Sequence, residues 1–294
     1  MLRRVIRVIL LMVLLMVFIT ACSRDTVNLD AGKFGVIYTD SLQPESEFVV
    51  FDEKGEKKSS VKLESQGIFL IEPDGNGGYI LPGRFDTRMY FVDRQGRISH
   101  TQGLHITNFA KKDRDILVVA YNKDLQENIL EIRQGNNIRR LKLGTLLRTV
   151  ALDDRYIYIY CDEMNIEKNL VYIVDRKDGK LHKTITLKDE TANAEYAEII
   201  GDDLVLTTDR KLTLIDRKTW KVRYVDYPKE KNADPAGLLP DGDTVYVPFQ
   251  DGLIAACDKN WNLLRTIRVS QWVYRMRMDD KHFYALDQMQ GKYD

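Results

Sequence analysis

The chain has 294 residues, 44% apolar and 30% charged, which is too much hydrophobic sequence for a disordered segment. Lys plus Arg and Asp plus Glu both total 44, so the formal net charge is zero. That balance, with no basic block interleaved with aromatics, argues against a nucleic-acid partner.

In chain order, Met1–Arg7 is positively charged and Val8–Phe18 is a continuous apolar run. Ile19-Thr20-Ala21-Cys22 follows, then polar Ser23-Arg24-Asp25. A charged start, a short apolar core and small residues before a cut site describe a secretory signal. The run is shorter than the ~20 residues of a spanning helix, so an uncleaved anchor is the second reading. Ile19–Cys22 resembles a bacterial lipobox. The resemblance implies a signal peptide over 1–21 and lipidation of Cys22. Asp25–Lys33 reads as a short tether, so the lipidated Cys22 and tether are expected over 22–33 and the folded body over 34–294. A diacylglycerol on Cys22 would hold the protein to the outer side of the cytoplasmic membrane, or to an outer membrane if the envelope has one.

Beyond the tether one pattern recurs. Leu212-Thr-Leu-Ile-Asp216-Arg-Lys-Thr-Trp reads as an apolar strand running into a polar turn, and Val171-Tyr-Ile-Val-Asp175-Arg-Lys-Asp-Gly nearly copies it. Asp52, Asp93 and Asp258 close equivalent segments, and Arg133 stands in the same place in a weaker copy. Counted from Asp52, the anchors fall 41, 40, 42, 41 and 42 residues apart. A period of about 40–45 residues with four strands per unit marks a β-propeller blade.

Four strands, A to D, fit each unit. The expected A strands lie near 67–71, 106–109, 147–152, 196–200 and 237–239. Acidic turns such as Asp153-Asp154-Arg155 and Gly201-Asp202-Asp203 separate A from B. Asp74-Gly-Asn-Gly-Gly78 reads as the same kind of turn rather than a calcium loop. Val273–Met278 and Phe283–Leu286 supply an A and a B strand; Phe48–Phe51 and Ser59–Leu63 supply a C and a D. The expected fold is therefore all-β, a six-bladed β-propeller closed by strands from both termini, with seven blades as the alternative. Phe34–Thr39 competes with Phe283–Leu286 for the B place and is expected as a fifth outer strand or a distorted closure.

The hairpins with apolar-apolar-Asp-Arg and a following Gly or Thr resemble the repeats of bacterial quinoprotein-like and NHL/YVTN-type propellers. That resemblance covers nearly all of the body and implies its fold. The docking tryptophans and quinone contacts of quinoprotein dehydrogenases are not recognisable, so no cofactor is carried over.

The chemistry is sparse. The four histidines, His100, His105, His182 and His282, fall in different units without metal-ligand spacing. Cys161 and Cys257 read as buried free thiols. No nucleophile elbow or phosphate loop is present. Propellers bind at the end built from B–C and D–A loops. Candidate ligand-binding residues there are Arg84, Asp86, Arg88, His105, Arg148, Glu195, Asp251 and Arg275, with Arg84, Asp86 and Arg88 the tightest cluster. Three functions follow in order: a membrane-tethered binder of a protein or peptide partner in the bacterial envelope; a sensor or carrier of a small polar ligand such as a carbohydrate; and a hydrolase or lyase. A partner binder should expose an apolar or aromatic patch on the loop end.

Overall fold

The computed structural model describes residues 26–40, 42–85, 87–101, 106–124, 127–144, 146–163, 168–188, 194–208, 211–227, 234–269, 273, 275–278 and 282–286. The signal peptide, Cys22 and the turn 279–281 lie outside them. No helix among the described residues is long and apolar enough to cross a membrane. The chain divides into two compact units, Met1–Ile106 and Thr107–Asp294.

The first unit holds two antiparallel sheets. One contains β1 (Phe34–Tyr38), β2 (Ser46–Phe51) and β3 (Lys57–Leu63); the other contains β4 (Glu72–Pro73), β5 (Tyr79–Pro82), β6 (Met89–Val92) and β7 (Ile98–Thr101). Their facing sides bury Phe48, Val50, Leu63, Leu81, Tyr90 and Val92, with Val27 and Ile68 added from flanking segments. Thr26 bridges Arg97, and the Val27 N–H donates to the Gly96 carbonyl at 2.9 Å, which draws part of the expected tether onto the second sheet.

The second unit holds four four-stranded meanders and a two-stranded sheet. They are β8 (Ile106–Asp113) to β11 (Asn137–Lys142), with β9 (Ile116–Asp124) and β10 (Glu127–Gln134) between. Next come β12 (Leu146–Leu152), β13 (Tyr156–Glu163), β14 (Lys168–Asp175) and β15 (Leu181–Thr186). The third meander is β16 (Tyr196–Ile200), β17 (Asp203–Thr207), β18 (Lys211–Asp216) and β19 (Val222–Asp226). The fourth is β20 (Leu239–Asp241), β21 (Thr244–Pro248), β22 (Leu253–Asp258) and β23 (Leu263–Arg268); among the described residues β24 (Arg275–Met278) pairs with β25 (Phe283–Leu286) alone. Successive sheets share apolar layers: Tyr158, Ile173, Leu204 and Leu206 fill one, and Leu212, Leu214, Val247 and Phe249 fill the next.

Two expectations are corrected. Phe283–Leu286 does not pair with Phe48–Phe51; β2 lies between β1 and β3, with Phe34 opposite Phe51 and Tyr38 opposite Glu47. The local hairpin wins because a short connection closes at little entropic cost, whereas the terminal strand is over two hundred residues away. Phe34 also stacks on Phe51 at 5.8 Å, and the Thr39 and Ser46 hydroxyls hydrogen-bond at 2.8 Å across the loop. The described strands thus form seven sheets, one more than six blades require. The expected A strand over 67–71 is replaced by the short β4, because Gly67 turns with φ +69° and the Ile68 N–H is taken by the Thr39 hydroxyl at 3.0 Å.

The anchor aspartates have a common task. Asp52, Asp93, Asp175, Asp216 and Asp258 each accept the N–H two residues ahead, at 2.8–2.9 Å, which closes the polar turn. The turn then needs a left-handed residue. Gly55, Gly96 and Gly179 fill that place, while Trp220 (φ 63°) and Trp261 (φ 70°) do so in the later repeats. A tryptophan there costs about 1–2 kcal/mol of backbone strain, offset where its indole is buried, as at Trp261.

The residue after the anchor joins neighbouring sheets. Arg176 Nη1 donates to Asp113 of the preceding meander and to the Asp153 carbonyl of its own, at 2.5 and 2.7 Å. Arg217 repeats the move one sheet on, donating to Asp153 Oδ2 at 2.5 Å and to the Gly201 carbonyl at 2.8 Å. Asp153 also accepts the Tyr158 hydroxyl at 2.7 Å and the N–H groups of Arg155 and Tyr156 at 2.8 and 2.7 Å. Burial alone would raise its pKa, but these donors together hold it below the ordinary carboxylate value. A carboxylate with a depressed folded pKa stabilises the fold above the unfolded value of about 3.9, and the contribution fades as pH falls through the folded value. Asp153→Asn is therefore expected to cost about 2–3 kcal/mol at neutral pH. In urea titrations its deficit against the parent should shrink as pH drops below about 4. A deficit independent of acid would show that the charge of Asp153 does not hold the sheets.

Candidate functional site

In the first unit the described residues of three loops converge at the end opposite the Asp-anchored turns: 39–40 with 42–45, 64–71, and 83–85 with 87–88. The Ser46 hydroxyl donates to the Ser65 carbonyl at 2.7 Å, and the Arg84 N–H donates to the Gly67 carbonyl at 3.0 Å. Arg88 closes the set. Its Nη1 donates to the Glu64 carbonyl, and lies 3.4 Å from the Glu64 carboxylate and 3.3 Å from the Tyr90 hydroxyl. Arg88 is therefore the brace of this loop end.

Arg84 does something else. It is exposed, with its guanidinium 6.0 Å from the centre of the Phe69 ring. Phe69 meets Phe85 edge to face at 5.8 Å. Phe85 is 48% exposed, and Leu42, on the loop that Thr39 opens, is 83% exposed. Two arginines, two phenylalanines and a leucine thus share the loop end of one small unit. Gly67 permits the arrangement: with φ +69°, a Cβ there would stand 2.3 Å from the Phe85 ring and 2.9 Å from Phe69. Asp86, the expected third member of the cluster, lies outside the described residues.

The loop end of the second unit is polar. Arg148 on β12 pairs with Asp162 on β13 at 2.5 Å. Burial, and then Asp162, raises the pKa of Tyr160, which stays a neutral donor to Asn169 at 3.2 Å. Asn108 donates to Asn122 at 3.2 Å and to Asn128 at 3.3 Å, linking β8, β9 and β10. Arg275 on β24 lies 5.9 Å from the centre of the Tyr196 ring on β16. Lys111 on β8 reaches Glu198 on β16 at 3.1 Å, past the intervening β12, so these first strands face a common space. Glu195 is exposed, and Asp251 accepts the Leu253 N–H at 3.2 Å within its own loop. His105 lies outside the described residues.

Of the expected residues, then, Arg84 and Arg88 share one loop end, Arg148 and Arg275 belong to the polar end of the second unit, Glu195 is exposed, and Asp251 accepts a bond within its own loop. Sequence reasoning missed Phe69, Phe85, Tyr90 and Tyr196. Phe85 carried a signal: an aromatic residue between arginines in a loop has no strand alternation to bury it. Cys161 and Cys257 are buried free thiols, as expected.

No family model matches the chain. It is similar to YeeG, an uncharacterized protein of Bacillus subtilis (strain 168), at 30% identity over 149 residues, 49% of this chain and 40% of that protein. Solved structures are similar over far more of it. Hydrazine synthase of Kuenenia stuttgartiensis matches with TM-score 0.70 at 12% identity, covering 90% of this chain and 93% of that one. BamB of Moraxella catarrhalis matches with TM-score 0.59 at 11% identity, covering 90% and 94%. The Dos1 propeller matches with TM-score 0.61 at 11% identity, covering 81% and 68%. The fold is that of the β-propeller repeat proteins. At such identities the likeness extends to the fold alone.

Gly67→Ala tests whether the aromatic patch is built by that glycine. The substitution is expected to cost about 1–2 kcal/mol, from a side chain at positive φ and from displaced rings. Ring-proton NMR should show Phe69 and Phe85 separated. Unchanged Phe69–Phe85 contacts in the variant would contradict this account of the patch.

Proposed function

We propose that the protein is a membrane-tethered, extracytoplasmic β-propeller lipoprotein of a bacterial envelope, each of its sheets counting as a blade, that binds a protein or peptide partner through the loop end of its first unit. The observation that carries this reading is the exposed Phe85 braced on Phe69 and flanked by Arg84. Exposed aromatics beside arginine are the residue types on which protein interfaces concentrate binding energy. A rigid hydrogen-bonded base under the patch, supplied by Arg88 and the Thr39–Ser46–Ser65 links, lowers the ordering cost of association. The lipobox-like Ile19–Cys22 supports the tether, and two acyl chains suffice for stable anchoring.

A second reading is favoured by the polar end of the second unit. Amides, an Arg–Asp pair and an aromatic ring under a guanidinium suit a small polar ligand such as a carbohydrate. It ranks below the partner reading because the arginines there are already engaged with Asp162 and Tyr196. The hydrolase or lyase reading ranks third.

The test is a comparison of co-purified proteins from the parent and from an Arg84→Glu, Phe85→Ser double variant, both isolated from envelope fractions. The partner reading expects at least one stoichiometric partner to be lost by tenfold or more, about 1.4 kcal/mol, with unchanged thermal unfolding. An identical set of partners would sink it. The tether is tested separately. Cys22→Ser should move the protein from the membrane to the soluble fraction and abolish incorporation of labelled lipid; retention at the membrane without label would instead point to an uncleaved helix.

A further inference from the structure

Four of the six anchor turns repeat one further feature; the first two, followed by Glu53 and Arg94, do not. The residue after each later anchor finds an acidic partner near the A-to-B turn of its own or the preceding sheet. Gln134 donates to Asp115 at 2.7 Å, Arg176 to Asp113 and Arg217 to Asp153, each at 2.5 Å, and Lys259 pairs with Asp243. Arg94 follows the anchor Asp93 and should do the same. It is exposed and makes no hydrogen bond or ion pair among the described residues. Its stem runs over Gly77, where an added Cβ would lie 3.4 Å from Arg94 Cγ.

In place of a clamp there is a cavity of about 250 Å³ within the first unit, at the end of the β4–β7 sheet opposite Phe85. Asp30, Lys33, Phe34, Gly77, Tyr79 and Arg94 are among its lining residues. Asp30 stands just before β1, where Asp113 and Asp153 stand relative to β9 and β13, yet it too makes no hydrogen bond or ion pair among the described residues. Where Arg176 and Arg217 meet their carboxylates directly, Arg94 and Asp30 both line this cavity without meeting. Burial raises the pKa of Tyr79, which leaves its phenol a neutral wall and donor.

We infer that this cavity is a binding site for a free α-amino acid. The chemistry of the gap is that of a split ion pair. Arg94 presents a fork matched to a carboxylate, Lys33 adds a second cation on the same cavity, and Asp30 supplies the carboxylate for an ammonium group. Phe34 and Tyr79 offer aromatic surface to a side chain. The volume is below the about 300–1,000 Å³ of sites for drug-sized molecules, which favours a ligand of amino-acid size over an oligosaccharide or a peptide. Gly77, without a side chain, leaves the Arg94 stem in place and the cavity open.

The experiment is isothermal titration of the full chain in detergent micelles with each proteinogenic amino acid. Every one is run beside its decarboxylated amine and its desamino acid. At least one amino acid should bind saturably, and both its truncated analogues should bind about tenfold more weakly or worse. Arg94→Ala and Asp30→Asn should each weaken that amino acid by about tenfold or more. Arg94→Lys, which keeps the charge but not the fork, should weaken it as well, and this separates lost recognition from lost folding. Phe85→Ser should leave it unchanged, so the two proposed surfaces fail independently. No saturable binding at millimolar concentrations, equal binding of a desamino acid, or full binding by Arg94→Ala would each overturn the assignment.

Discussion

Asp153 is the joint on which the second unit turns. One of its oxygens closes the turn between β12 and β13, and the other receives Arg217 from the next sheet and the hydroxyl of Tyr158. Its backbone carbonyl receives Arg176, which in turn holds Asp113 of the sheet before. Three successive meanders are thereby tied at their turn ends through charge-assisted bonds, roughly twice as strong as neutral ones. The apolar layers between sheets supply the bulk of the stability, but such layers are non-directional. The arginine clamps fix which turn lies against which, and so keep the first strands side by side.

This division explains why the two ends of each unit differ. The turn ends are short and acidic, and most of their carboxylates cap or clamp: Asp52, Asp93, Asp216 and Asp258 all have pKa values below the ordinary carboxylate range. At Asp52, about 2, the Lys58 partner leads and the backbone N–H groups follow, while at Asp216 and Asp258 turn hydrogen bonds from Thr219 and Asn262 lead. The loop ends carry longer connections and side chains that repeat nothing. Phe85, Arg84 and Leu42 are of this kind, and so is the Arg148–Asp162 pair. Function in repeat folds gathers where the repeat constraint is weakest.

Much of the fold could be read from the sequence because its signals are local. The anchor spacing located β6, β14, β18 and β22 to within a residue or two, since an aspartate that caps a turn must stand at a fixed place beside its strand. The pairing of β1 with β2 was harder: alternation marks a strand but not its neighbour, and here a short loop outcompeted a distant terminus. The segment 67–71 failed for a different reason, since a glycine at positive φ and a bond to the Thr39 hydroxyl override an apolar run. At the site, charge drew attention to Arg84 and Arg88 alike. Only the structure separates a brace bound to Glu64 and Tyr90 from a residue displayed on an aromatic ring.

The central claim, that the loop end of the first unit is the partner-binding surface, is tested most directly by photocrosslinking in intact cells. A photoreactive residue is placed at Phe85 in one protein and at Ile138, exposed on β11, in another. The account predicts a discrete adduct of higher mass from Phe85 and none from Ile138. No adduct from Phe85, or the same adduct from both positions, would contradict it.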